Sequence, residues 1–116
     1  MERPPEEGGK NSYWTKNEVR IMKSILETRK GTCYACGAET TTQDHHIFYG
    51  TANRKLSERY GLKVFLCLDC HLNNRTGVHG GNQELDQKLK EEGQLQFERK
   101  HGSRVDFINI FGRNYL

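Results

Sequence analysis

The sequence predicts an α+β fold in which helices flank a small, cross-linked β-module. Three observations point there. Apolar residues recur at helical spacing near the N-terminus and again over residues 82–112. β-Branched and aromatic residues gather in short runs near 40–48 and 63–66. Four cysteines stand as two pairs, each next to one of those runs.

A chain of 116 residues suggests one domain. Residues 1–12, with Pro4-Pro5 and Gly8-Gly9, read as a disordered tail. A single domain is expected over 13–116, with its core at 31–80 and a helical cover at 82–112. Only 34% of residues are hydrophobic, and the mean hydropathy is −0.89. A short domain with so lean a core needs added stability from a metal or disulfides. No run of 18 apolar residues is present, which argues against a membrane span. The first residues, MERPPEEGGK, lack the apolar stretch of a secretory signal, so an intracellular location is expected.

The elements follow in order. Thr15 and Glu18 form a capping box, and Val19, Met22, Ile25 and Leu26 follow at helical spacing before Gly31. That pattern predicts a helix over about 16–29, with Trp14 in the core. A hairpin is expected over 32–48, then a polar loop through 50–62. Residues 63–66 suit a short strand, and 68–76 a short helix. Asn82 can cap a helix that sets Leu85, Leu89 and Phe97 on one face. Gly93 shares that stripe and either permits a close contact or breaks the helix. His101 falls in the last turn, where an imidazolium suits the helix dipole. Ser103 can cap a final helix carrying Val105, Phe107, Ile108 and Phe111, which Gly112 ends.

Cys33, Cys36, Cys67 and Cys70 give the pattern C-x2-C-x30-C-x2-C. Two such knuckles suit a tetrahedral, structural zinc ion. Two disulfides would conflict with the expected compartment. A redox Cys-x-x-Cys would need a βαβ unit that the sequence does not show.

With sulfur satisfying the zinc, the histidines are free for other work. His45 and His46 lie between the knuckles, His71 directly follows Cys70, and His79 comes eight residues later. Residues 47–80 hold five basic side chains against two acidic ones, while basic and acidic residues balance in the rest of the chain. The excess positive charge therefore lies beside the histidines, where it can attract phosphate.

Cys-x-x-Cys, then His45-His46-Ile47, then a basic loop, then Leu-Cys-x-x-Cys-His resembles the HNH endonuclease family over residues 33–79. Arg54-Lys55, Gly77-Val78-His79 and the terminal Phe-Gly-Arg-Asn-Tyr-Leu are similar to small HNH-like proteins of bacteriophages. The resemblance implies a ββα-metal (His-Me finger) module. It implies a DNA endonuclease that leaves 5′-phosphate and 3′-hydroxyl ends, acting in a host cytoplasm, with other phage proteins as candidate partners. It assigns His45 and His71 as ligands of a catalytic divalent ion, magnesium or manganese, and His46 as the general base. A register shifted by one would make Asp44 the ligand and His45 the base. The family's middle asparagine, which holds the loop in shape, has no counterpart; Tyr60, Gly61 and Leu62 occupy that stretch.

The chemistry suits these residue types. Neutral imidazole can take a proton from water near neutral pH. A divalent ion can stabilise the charge gathered by a phosphoryl transition state. Imidazole ligands also admit nickel or zinc. Arg54, Lys55 and Arg75 can grip neighbouring phosphates. His79 can touch metal or phosphate, or merely end a helix. Low base specificity is expected, because no DNA-reading helix is visible. The alternative is a non-catalytic, zinc-bound nucleic-acid-binding or phage accessory protein that keeps the fold.

Overall fold

The computed structural model describes residues 23–116. The expected tail, Trp14 and the capping box at Thr15 and Glu18 lie outside them. Two strands and four helices follow in the order β1 (Thr42–His46), α1 (Thr51–Tyr60), β2 (Lys63–Cys67), α2 (Leu68–Leu72), α3 (Gln83–Lys100) and α4 (Arg104–Phe111). The fold is α+β, with a cysteine cluster at one end of the sheet.

β1 and β2 pair antiparallel, with Thr42 opposite Cys67, His45 opposite Val64 and His46 opposite Lys63. The hairpin expected within 32–48 therefore forms across a longer connection. Residues 32–39 make the first knuckle instead, held by a bridge between Thr32 and Glu39 and by the Cys33 N–H donating to Ala38 O at 2.9 Å. The expected polar loop is largely helix α1. Side chains alternate across the pleat, so Gln43 and His45 share one face with Val64 and Leu66. Asp44 and His46 share the other with Phe65 and Lys63. That alternation separates the two adjacent histidines.

The described end of the expected N-terminal helix, residues 23–29, is not helical. It runs along the free edge of β2 and satisfies that strand's backbone. Ser24 donates its hydroxyl to Lys63 O at 2.6 Å, Phe65 N–H donates to Thr28 Oγ1 at 3.0 Å, and Ile25 N–H donates to Gly61 O at 2.9 Å. An unpaired strand edge needs such partners. Here that demand outweighs the helical spacing of Ile25 and Leu26.

α3 and α4 match the expected C-terminal helices. Asn82 accepts from Leu85 N–H, and Ser103 and Asp106 form a reciprocal capping box. Gly93 lies inside α3 without breaking it. A Cβ there would stand 3.1 Å from the Phe48 ring and 3.2 Å from Ile47, so the glycine lets the helix approach the sheet module closely. Phe48, Phe97, Phe107 and Phe111 build the centre of the core, with the Phe107 and Phe111 rings stacked at 4.6 Å. His101 ends α3 and bonds Tyr60 O through Nε2 at 2.8 Å, which ties it to α1. Among the described residues no helix is long and apolar enough to cross a membrane.

Candidate metal centres and the cleft beside them

The first knuckle lies just before β1, and the second spans the end of β2 and the first turn of α2. Pairing Thr42 with Cys67 brings the knuckles together. One sulfur from each of Cys33, Cys36, Cys67 and Cys70 lies within 4.8 Å of the others. Cys36 Sγ and Cys67 Sγ are 3.8 Å apart. Zinc–sulfur bonds of about 2.3 Å in a tetrahedron require about that separation. The cluster therefore fits zinc.

Its electrostatics also suit a cation. Burial raises the Cys33 pKa, but backbone N–H groups of Cys67, Cys36 and Ala35 outweigh it and bring the thiol down to about 6. Burial and the neighbouring thiols push Cys70 up. The Cys33 thiolate forms readily, while neighbouring thiols resist ionisation of Cys36 and Cys70 until a cation compensates them.

A second cluster lies on the inner face of the sheet. His45, His71 and His79 each present a ring nitrogen, all within 4.8 Å of one another. The ring centroids stand 5.2 Å apart for His45 and His71, 5.0 Å for His45 and His79, and 4.8 Å for His71 and His79. His45 is 1% exposed, and neither ring nitrogen has a hydrogen-bond partner. Such an orphan is costly unless something else satisfies it. Burial, followed by the charges of His71 and His79, lowers its pKa to about 3, so it is neutral and able to ligate. Burial and His79 also lower the pKa of His71.

His71 Nδ1–H donates to Gln43 Oε1 at 2.8 Å, which leaves Nε2 with its lone pair. Gln43 lies two residues before His45 on the same face, the place for a group that orients a metal ligand. His79 arrives by an irregular turn. Val78 N–H donates to Cys70 O at 2.8 Å and His79 N–H to His71 O at 3.1 Å. A Cβ on Gly80 would run into the Asn73 carbonyl, so this tight return needs a glycine.

The cluster opens on a cleft of about 670 Å³ lined by Asp44, His45, His46, Tyr49, Gly50, Thr51, Arg54, His71 and His79. The sequence-selected His45, His46, His71, His79 and Arg54 thus share one cleft. Lys55 and Arg75 are exposed and do not line it. His46 faces away from the other imidazoles. Its Nε2 lies 2.8 Å from Glu58 Oε1, and Lys63 Nζ lies 2.9 Å from Glu58 Oε2. Burial pushes the Glu58 pKa up, but the bonds from Lys63 and His46 hold it below its ordinary value. With an ionised acceptor at Nε2–H, His46 keeps Nδ1 as its basic nitrogen.

Support for the β1–α1 turn comes from Ser57. It is fully buried, accepts from Phe48 N–H at 3.0 Å and donates to Phe48 O at 2.7 Å. Sequence reading missed Ser57 and Glu58 because α1 read as loop. It also missed Gln43, although its spacing two residues before His45 on a strand was a usable signal. Comparison with protein-family models, curated proteins and solved structures returned no match.

Proposed function

We propose that this protein is a divalent-metal-dependent endonuclease of HNH type, hydrolysing DNA phosphodiesters in the histidine cleft. The observation that carries the reading is the convergence of His45, His71 and His79 around the unpartnered nitrogens of His45, separate from the cysteine cluster. A strand–helix–strand–short-helix order, with ligands on β1 and α2, supports the ββα-metal assignment.

His45, His71 and His79 would hold the ion. Three imidazole donors suit manganese, nickel or zinc better than magnesium, which prefers oxygen. A bound ion would supply charge stabilisation for the phosphate and the departing 3′-oxygen. The chain's own groups do the rest. His46 Nδ1 takes a proton from water as its oxygen attacks phosphorus; the P–O bond to the 3′-oxygen breaks, and that oxygen is protonated from solvent. Glu58 holds the His46 ring through Nε2–H. Arg54, in the same cleft, grips a phosphate oxygen.

The test is plasmid nicking with manganese, magnesium, nickel or zinc. Wild type should nick, and His46→Ala should lose at least about 100-fold in rate. Full activity in His46→Ala removes the proposed base. A folded, zinc-loaded wild type that cuts no form of DNA would support the accessory reading instead.

A further inference from the structure

A second cavity, of about 460 Å³, adjoins the histidine cleft, and Tyr49 and His79 line both. Its other walls include Gln83, Asp86, Lys90, Arg113 and Tyr115. Most of these come from α3 and the terminal segment, neither of which supplies a group to the proposed reaction. We propose that this cavity is a second phosphate subsite, which holds the nucleic-acid strand on the side of the cleft opposite Arg54. The inference rests on the nuclease reading and extends it to the path of the substrate.

The terminal segment is built into the fold. Gln94 on α3 is fully buried, and its amide bonds this segment as well as Glu98. Its nitrogen donates to Asn114 Oδ1 at 2.8 Å, and its oxygen accepts from Tyr115 N–H at 2.7 Å. The Tyr115 ring packs against Phe48 at 5.2 Å, which anchors it to the core. Asn114 and Tyr115 are thus fixed, and they place Arg113 at the cavity wall.

The charge there suits a single phosphate. Asp86 and Lys90 form an ion pair at 3.0 Å, and Tyr49 donates its hydroxyl to the same Asp86 oxygen at 3.0 Å. Those two charges largely cancel. Arg113 remains, held over the Tyr115 ring with its guanidinium carbon 4.9 Å from the centroid. Among the described residues no carboxylate pairs with it. A planar guanidinium stacked on an aromatic ring is oriented to bind two phosphate oxygens at once. Because Tyr49 and His79 line both clefts, a strand seated at the histidines would pass these two residues to reach Arg113. A small phosphate ligand would gain nothing from that continuity.

The experiment measures binding of a fluorescent single-stranded oligonucleotide to the full-length, zinc-loaded protein by anisotropy, across a series of salt concentrations. Arg113→Ala should weaken binding about three- to tenfold at low salt and reduce the slope of log affinity against log salt by about one. Arg54→Ala serves as the reference for the first cleft. If Arg54→Ala weakens binding and Arg113→Ala changes neither affinity nor slope, the second subsite is wrong and the nuclease reading stands. If wild type binds neither this oligonucleotide nor a duplex at any salt concentration, both fall. Competition with a mononucleotide and with inorganic phosphate separates the sources. If a mononucleotide binds wild type as tightly as the oligonucleotide does, and loses as much affinity on Arg113→Ala, the cavity serves a free nucleotide and the strand path is overturned. Arg113 is exposed, so an unchanged melting temperature in Arg113→Ala is expected.

Discussion

The Ser57 hydroxyl closes both backbone groups of Phe48, donating to its carbonyl and accepting from its N–H. That one side chain joins α1 to the end of β1. It does so at the point where the chain leaves the histidine pair.

Ser57→Ala strands a buried N–H and a buried C=O at once. Each orphan costs about 1–3 kcal/mol. The variant should lose about 2–4 kcal/mol of stability in urea unfolding. Ser57→Thr should lose less, if its added methyl is accommodated. A Ser57→Ala midpoint equal to wild type would mean that water replaces the hydroxyl.

Removing zinc should unfold the sheet module. Apparent binding energies of about 10–16 kcal/mol for structural zinc are comparable to or exceed the net stability of about 5–15 kcal/mol of a typical domain. Chelation should abolish near-ultraviolet dichroism, and re-adding zinc should restore it. Cys67→Ser, which loses a buried ligand at the end of β2, should show the same loss without chelator. A spectrum that survives complete zinc removal would show that the apolar core suffices.

Acid should destabilise the fold through His45. Its pKa is pushed down to about 3 by burial and the neighbouring positive charges. An unfolded histidine titrates near 6.5, so the unfolded chain binds a proton that the folded chain refuses. The stability involved is intact above about pH 6.5 and falls as pH drops towards 3. At pH 5 the loss is about 2 kcal/mol. In urea unfolding without added divalent ion, wild type should lose about that much more than His45→Asn between pH 7.5 and pH 5. Equal losses would mean that His45 is not the group responsible.

His79 and His46 should separate metal binding from catalysis. His79→Ala should weaken manganese binding about 10- to 100-fold, by analogy with the loss of a group that supports a metal site. His46→Ala should leave that affinity unchanged and remove the proposed cleavage. Isothermal titration with manganese, followed by nicking assays, reads both. If His46→Ala also loses the metal, its assignment as base fails.

The sequence showed most plainly what local chemistry controls. Knuckle spacing is written in the chain itself, so the cysteine cluster was legible. So were α3 and α4, where Asn82 and Ser103 cap apolar stripes. α1 was hidden because its apolar stripe is only Ala52, Leu56 and Tyr60 amid polar residues, and it has no side-chain cap. It begins at Gly50 and is held by the buried hydroxyl of Ser57. The segment 23–29 misled because Ile25 and Leu26 have helical spacing, while the edge of β2 takes the backbone. His45 and His71 could be singled out from the motif. The place of His79 could not, because it depends on long-range bonds from Val78 and His79 back to Cys70 and His71.

The central claim is that His45, His71 and His79 share one exchangeable cation while sulfur holds another. Crystals of the zinc-loaded protein soaked in manganese, with anomalous data collected at both metal edges, test it directly. The account predicts a zinc peak among Cys33, Cys36, Cys67 and Cys70 and a manganese peak bounded by the three imidazoles. A zinc peak at the cysteines with no metal at the histidines, in crystals grown above pH 7, would contradict it.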